Sequence, residues 1–280
     1  MMNILDGKLL AEKVKNQARE AAANLPRKPG LAVILVGNDP ASQVYVNGKR
    51  KDCEACGFYS EEYTLLAGTT QEELMELIAV LNGREDIDGI LVQLPLPEHL
   101  DERAVLEAIR PDKDVDCFHP MNIGRLFIGE SGFQPCTPAG VMALLDEYHI
   151  DPAGKRAVIL GRSNLVGKPM AILLLQRDAT VTICHSKTPN LKEICREADI
   201  LVSAAGHRGL VTADMIKPGA VVVDVSINRN EAGKLCGDVA PGGAEQASYL
   251  TPVPGGVGPM TRAILMRNTL WAARQHQNLN

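Results

Sequence analysis

The sequence predicts an α/β protein of two parallel-sheet α/β domains with a cleft between them, the C-terminal one of Rossmann type. Three observations carry this. Six short apolar runs, Leu31–Val36, Gly89–Gln93, Ala157–Leu160, Thr180–Cys184, Ile200–Ser203 and Ala220–Val225, are continuous rather than alternating and end in Gly, Pro or polar residues. Continuous β-branched runs fit strands covered on both faces, the condition of a parallel sheet. Longer segments at helical spacing separate them, and such alternation requires right-handed crossovers. The 280 residues correspond to two domains at roughly 150 residues each.

In chain order, Leu9, Leu10, Val14 and Ala18 share one helical stripe. The first strand run ends in Gly37-Asn38-Asp39-Pro40, a strand-to-helix turn, and the helix after it carries Tyr45 and Lys49 on one face. Thr70-Gln-Glu-Glu73 matches a capping box ahead of Leu74, Leu77, Ile78 and Leu81. The run at Gly89 ends in Gln93-Leu-Pro-Leu-Pro97. Pro111–Pro138 holds four prolines and little periodicity, and reads as a hinge between the two units, with the cleft beside it. Thr137 as cap and Pro138 as first helical residue open the helix of Val141, Leu144 and Leu145. The remaining strand runs alternate with helices, and Met260 to about residue 275 is helical again.

Composition excludes several functions. There are 29 basic and 34 acidic residues, a net charge of −5, which argues against nucleic acid or anionic lipid as partner. No apolar run reaches the roughly 18 to 20 residues of a membrane span. The N-terminus lacks the pattern of a secretory signal, so the seven cysteines read as reduced thiols of a cytoplasmic protein. Cys53-x-x-Cys56 has no second pair to complete a zinc site, the six His show no metal spacing, and Asp112, Asp114 and Asp116 lack the glycine and terminal Glu of a calcium loop, so no metal is expected.

Chemistry-bearing motifs lie at the strand ends. Val158-Ile-Leu-Gly161 is followed by Arg162, Ser163, Asn164, Leu165, Val166, Gly167 and Lys168-Pro169, then a helix. A helix start above a strand end is an anion site, although the usual dinucleotide glycines are replaced by Ser163 and Val166 and a plain strand–helix turn fits equally. The next strand ends in His185-Ser186-Lys187-Thr188 without the carboxylate that selects NAD about 20 positions on. With Arg162 nearby, these residues suit the 2′-phosphate of NADP; a solvated turn is the alternative. In the first half, Tyr45 and Lys49 can hold a flat ligand and move a proton, or be a packed ring beside a solvated amine. Thr251–Thr261 packs three glycines and three prolines into eleven residues, a shape-fixed loop suited to backbone contact with a ligand.

Taken together, Tyr45-Val-x-x-Lys49, Gly89–Pro97, Lys113-Asp-Val-Asp116, Pro135-Cys-Thr-Pro138, Gly161–Pro169 and Thr251–Thr261 resemble the methylenetetrahydrofolate dehydrogenase/methenyltetrahydrofolate cyclohydrolase family, called FolD in bacteria. The resemblance runs over nearly the whole chain. It implies a folate-binding catalytic domain over 1–120, an NADP-binding domain over 137–259, and a last helix, 260–280, that packs back on the first domain. It implies Lys49 as catalytic lysine with Gln93 bonded to it, Tyr45 against the substrate, and Asp116 accepting from the pterin. Pro254, Gly255 and Gly256 would complete the folate site. Gly161, Arg162, Ser163, Val166, Gly167, His185, Ser186, Ala205, Gly206, Ile227 and Thr261 would line the NADP site, with Arg162, Ser163 and Ser186 around the 2′-phosphate. The substrates would be tetrahydrofolate derivatives and the assembly a homodimer paired through the nucleotide domain. A dehydrogenase of another metabolite would explain the second half but not Tyr45, Lys49 and Gln93; a non-catalytic NADP-binding module would need no lysine base.

Two positions depart from the family pattern. Cys117 stands where glycine usually follows the Asp, and a Cβ there tilts the loop if the backbone has positive φ. Ser226 replaces a glycine expected near the nicotinamide. Both predict effects on affinity rather than on the chemical step.

Overall fold

The computed structural model describes residues 2–279. They form two compact units, one of Met1–Ala11 with Thr137–Thr261 and one of Glu12–Cys136 with Arg262–Asn280. In the first half of the chain the strands are β1 (Asn3–Ile4), β2 (Gly30–Val36), β3 (Tyr59–Leu65) and β4 (Gly89–Val92). The helices there are α1 (Gly7–Ala22), α2 (Pro40–Cys56), α3 (Gln71–Gly83), α4 (Glu102–Ala108) and α5 (Pro120–Ile128). The second half adds β5 (Arg156–Leu160), β6 (Thr180–Cys184), β7 (Ile200–Ser203), β8 (Val221–Asp224), β9 (Asn228–Arg229), β10 (Leu235–Cys236) and β11 (Tyr249–Leu250). Its helices are α6 (Cys136–Glu147), α7 (Gly167–Leu175), α8 (Leu191–Arg196) and α9 (Val257–His276).

One unit is built on a three-stranded parallel sheet, β3-β2-β4. Every residue of the central strand β2 is buried, as its continuous apolar sequence requires. Ile34 and Ile90 of the sheet pack with Leu74 and Ile78 of α3 and Val105 of α4. The capping box at α3 is formed: Glu73 N donates to Thr70 Oγ1 at 3.2 Å, and Thr70 N donates to the Glu73 carboxylate at 2.8 Å. Asp39 starts α2 by accepting from Ser42 N at 2.7 Å. At the N-terminal edge of the sheet, fully buried Asp88 accepts from both terminal nitrogens of Arg27 (2.7 and 2.8 Å), from Gly30 N (2.8 Å), and meets His276 Nδ1 at 2.9 Å. From Arg262 onward α9 belongs to this unit, where Asn268 Nδ2 donates to Val115 O (2.8 Å) and Gln134 O (3.0 Å).

The other unit holds a six-stranded parallel sheet in the order β1-β11-β8-β7-β5-β6. Leaving β5, the chain first adds β6 on one side and then β7 on the other, so a topological switch point lies between β5 and β7. The small sheet repeats this: β3 and β4 flank β2. Ligands of open α/β sheets bind beyond the carboxyl ends of strands at such points.

Four features differ from the sequence reading. Residues 1–11 leave the 1–120 unit, because β1 pairs with β11 at the edge of the six-stranded sheet. Pro111–Pro138 is not a bare hinge: it contains α5, started by His119 Nδ1 accepting from Met121 N at 3.0 Å and ended at left-handed Gly129, and it belongs through Cys136 to the three-stranded unit. A nine-residue helix that opens on proline leaves too short a period to detect. Helix α6 begins at Cys136, so Thr137 lies inside its first turn and bonds Thr261 Oγ1 at 2.9 Å instead of capping. Strand β3, Tyr-Ser-Glu-Glu-Tyr-Thr-Leu, has no apolar run because it is an edge strand whose Glu61 pairs with Arg84 at 2.6 Å.

Candidate active site

In the three-stranded unit the switch point is flanked by α2, which follows β2, and by Gln93, which follows β4. Tyr45 and Lys49 stand one turn apart on α2. Lys49 is only 8% exposed, and its Nζ donates to Gln93 Oε1 at 2.9 Å. Gln93 is oriented in turn by donating its Nε2 to Leu94 O at 2.7 Å. Burial pushes the Lys49 amine below its ordinary value; Asp116 and Cys136 pull it back up, and Arg262 adds to the lowering. Tyr45 is half-exposed, and its hydroxyl is pushed up by desolvation.

Cys136 and Arg262 had no role in the sequence reading. The buried Cys136 thiol donates to Val115 O at 3.4 Å, and burial, with the charge of Asp116, pushes it well up, so it stands neutral beside Asp116 and Lys49. Its signal was the Pro135-Cys-Thr-Pro138 motif. Arg262 Nε lies 3.2 Å from Asp52 Oδ2, and a Cβ at Gly48 would stand 2.0 Å from its guanidinium. Glycine is therefore required beside Lys49 for the arginine to lie there. Cys53 and Cys56 are buried in α2, with thiols pushed up by burial to about 12 and about 11, the state of inert core cysteines.

The acids of Lys113-Asp-Val-Asp116 divide their labour. Lys113 Nζ donates to Leu81 O (3.1 Å) and Arg84 O (2.6 Å), capping the end of α3. Asp114 is buried and accepts from Phe118 N (3.0 Å), His119 N (2.9 Å) and Asn122 Nδ2 (2.8 Å); burial pushes it up to about 7 against the pull of these bonds. It folds the loop, and Asp116 is left half-buried at its tip. Cys117 has φ +60, the left-handed conformation in which a Cβ is a burden, and its buried thiol donates to Phe133 O at 3.3 Å.

In the six-stranded unit the register Leu160↔Cys184 and Leu160↔Ser203 brings three loops to one edge. They carry Gly161, Arg162 and Ser163, then His185 and Ser186, then Ala205 and Gly206. A Cβ at Gly161 would stand 2.3 Å from Ala204 O, and one at Gly167 would stand 2.2 Å from Gly161 O. Backbone lies on backbone there, a glycine cradle that no side chain could enter. Ser163 Oγ accepts from Val166 N (3.1 Å) and Gly167 N (3.4 Å), organising the start of α7. Arg162 and Ser186 are exposed, His185 is half-buried and accepts from Lys187 N at 3.1 Å, and Ile227 is 47% exposed. Thr261 is paired with Thr137. Pro254, Gly255 and Gly256 follow β11 in this unit, apart from Tyr45, Lys49, Gln93 and Asp116, which fall in the other. Their loop turns on left-handed Gly255 and closes through Gly256 N to Pro252 O at 2.8 Å.

Residues 5–116 match the family model for the tetrahydrofolate dehydrogenase/cyclohydrolase catalytic domain, and residues 135–277 match the NAD(P)-binding domain of the same family. The chain belongs to the tetrahydrofolate dehydrogenase/cyclohydrolase family. It is 57% identical over 275 residues to the bifunctional protein FolD of Acetivibrio thermocellus, covering 97% of this chain and 96% of that one. The FolD crystal structure from Campylobacter jejuni superposes with a TM-score of 0.97 at 51% identity, over 98% of this chain and 99% of that one. FolD of Trypanosoma brucei, solved with NADP cofactor and an inhibitor, gives a TM-score of 0.93 at 42% identity over 98% of both chains. Within this family the two switch points divide between the matched domains: Lys49 and Gln93 lie in the catalytic match, and the glycine cradle lies in the NAD(P)-binding match.

Proposed function

We infer that this chain is a bifunctional enzyme that oxidises 5,10-methylenetetrahydrofolate with NADP and hydrolyses the resulting 5,10-methenyltetrahydrofolate to 10-formyltetrahydrofolate. The observation that carries the reading is a buried lysine amine bonded to Gln93 and flanked by Asp116, in a chain that also bears an NAD(P)-binding sheet. NADP, when bound, supplies the hydride acceptor. Gly161, Ser163, Val166, Gly167, Ala205 and Gly206 would hold it through backbone and small side chains. Arg162 and Ser186, with no carboxylate after β6, would take its 2′-phosphate.

The chain's own residues then serve the substrate. Tyr45 offers a flat face to the folate, and Asp116, half-buried at its loop tip, accepts from the pterin donors. Pro254, Gly255 and Gly256, in the loop after β11, would offer backbone groups to a ligand. When water attacks the methenyl carbon, Lys49 takes its proton. The C–N5 bond then breaks as the adduct's hydroxyl becomes the formyl carbonyl, its proton passes to N5, and the formyl group stays on N10. A lysine does this only when uncharged, and burial moves Lys49 toward that state. Gln93 holds the amine in place in either protonation state.

A homodimer in the cytoplasm completes the reading, with neither nucleic acid nor membrane as partner. Among the described residues no helix is long and apolar enough to cross a membrane. The sheet edge β6 bears the exposed Ile183, a surface suited to pairing through the six-stranded unit. The decisive experiment follows 5,10-methenyl absorbance after substrate and NADP are mixed. A rise followed by decay at an enzyme-dependent rate is expected; no methenyl signal and no NADPH would refute the dehydrogenase, and decay at the buffer rate would refute the cyclohydrolase.

A further inference from the structure

Strands β7 and β8 stay paired as far as Val225 N, which donates to Ser203 O at 2.8 Å, and then part. Beyond that point side chains replace the ladder. Ser226 Oγ accepts from Gly206 N at 3.1 Å and donates to Asp238 Oδ2 at 2.7 Å. The same carboxylate oxygen accepts from Ser203 Oγ (2.7 Å), Ala205 N (3.0 Å) and Gly206 N (3.3 Å), while Oδ1 accepts from Asn228 Nδ2 at 3.0 Å. Asp238 is fully buried, and these bonds come from hydroxyls, an amide side chain and backbone N–H groups, none from a cation. A buried carboxylate held only by dipoles fixes those dipoles in return, since any donor that turns away leaves charge uncompensated. Ser226 is 8% exposed, and its hydroxyl is turned inward onto the fully buried Asp238. With Asp238 it therefore holds the N–H of Gly206, a residue at φ +70 whose left-handed backbone a glycine adopts without strain.

We propose that Asp238 and Ser226 are positioning residues for the cofactor, clamping the Ala205–Gly206 peptides at the end of β7 into the conformation that receives NADP. The proposal rests on the reading of the six-stranded unit as the NADP site. Its physical content is preorganisation: a loop already fixed loses little further freedom when the dinucleotide arrives.

The test compares full-length wild type with Ser226→Ala, Ser226→Thr and Asp238→Asn. NADP affinity is measured by calorimetry, amide exchange of residues 204–207 in the cofactor-free protein, and methenyl hydrolysis without cofactor. Ser226→Ala should bind NADP about tenfold more weakly and exchange its loop amides about tenfold faster, the effect of one lost hydrogen bond. Hydrolysis should hold at the wild-type rate, and Ser226→Thr, which keeps the hydroxyl, should restore affinity. Asp238→Asn should weaken NADP further; if it does not fold, Ser226→Ala decides alone. Unchanged NADP affinity and exchange in Ser226→Ala would overturn the proposal, as would hydrolysis falling in parallel with affinity, the mark of a general loss of structure. Wild type that binds no NADP would overturn the underlying reading and the proposal with it, and this is seen before any variant is compared.

Discussion

Replacing Lys49 with methionine separates the two activities while leaving the fold intact. Methionine keeps the length and apolar stem in a site that is 8% exposed. The one hydrogen bond lost is the 2.9 Å contact to Gln93, worth about 1 kcal/mol, and Gln93 retains its bond to Leu94 O. Against this, the folded state no longer has to bury an amine whose ionisation burial opposes. That lysine has its folded pKa below its unfolded one, so its contribution to stability is present above the unfolded pKa and is lost as pH falls through the folded value. Lys49→Met is therefore expected to gain on wild type as pH falls from the unfolded lysine pKa to the folded one and to keep a constant advantage below it. General-base assistance contributes ~10²–10⁴-fold, about 3 to 5 kcal/mol of barrier. Methenyl hydrolysis should drop by that factor and the methenyl species accumulate, while NADPH production persists because hydride transfer needs no base. Wild-type hydrolysis should rise with pH through the lowered Lys49 pKa and level off above it; the variant should lack this limb. A stopped assay following NADPH and methenyl absorbance separately checks both. Wild-type clearance of methenyl by the variant would refute Lys49 as the base, and loss of both activities with folate still bound would make it a residue that positions the whole site.

Asp116→Ala should impair both reactions through weaker folate binding, read as a raised KM in each assay; unchanged folate affinity would remove Asp116 as the anchor. NADP should be preferred over NAD, and Arg162→Ala should erode that preference by about 1 to 3 kcal/mol, the worth of a charge-assisted bond to the 2′-phosphate; equal efficiency of wild type with both cofactors refutes this. At Cys117, Ala keeps the left-handed strain and Gly relieves it, so Cys117→Gly should be more stable than Cys117→Ala by about 1 kcal/mol in denaturant unfolding. Equal stabilities would show that the loop adjusts its backbone instead.

Much of this architecture is legible in the chain because it is local. The runs at Leu31 and Ile200 begin and end within a residue of β2 and β7, whose residues are all buried, and the run at Thr180 coincides with β6 although that edge strand is mostly exposed. The capping box at Thr70 is readable because both partners lie within one turn. Tyr45 and Lys49 share a helix face for the same reason. Strand β3 escapes notice because an edge strand with one solvated side carries charge, and Glu61 is there to meet Arg84. Helix α5 escapes because its start is set by His119 and Pro120 rather than by an apolar stripe. The placement of residues 1–11 rests on a two-residue pairing with β11, almost 250 positions away. Nothing in Asn3-Ile4 announces it.

The buried carboxylates mark the limit of sequence reading most sharply. Asp114 and Asp116 are two residues apart in one motif, yet one folds the loop and the other is left half-buried at its tip. Chemistry alone cannot tell them apart, since both are acceptor-only side chains. What distinguishes them is the donors that arrive from elsewhere: Phe118 N, His119 N and Asn122 converge on Asp114. Asp88 collects Arg27 and His276 from opposite ends of the chain, and Asp238 collects Ser203, Ala205, Gly206, Ser226 and Asn228. Each buried acid fixes a stretch of backbone: the entry to β2, the Asp116 loop, the end of β7. In the Asp116 loop and at the end of β7, polar backbone turns away from the strand ladders and its N–H groups need acceptors. A buried carboxylate on which those donors converge supplies them, and does so without presenting a side chain to the ligand.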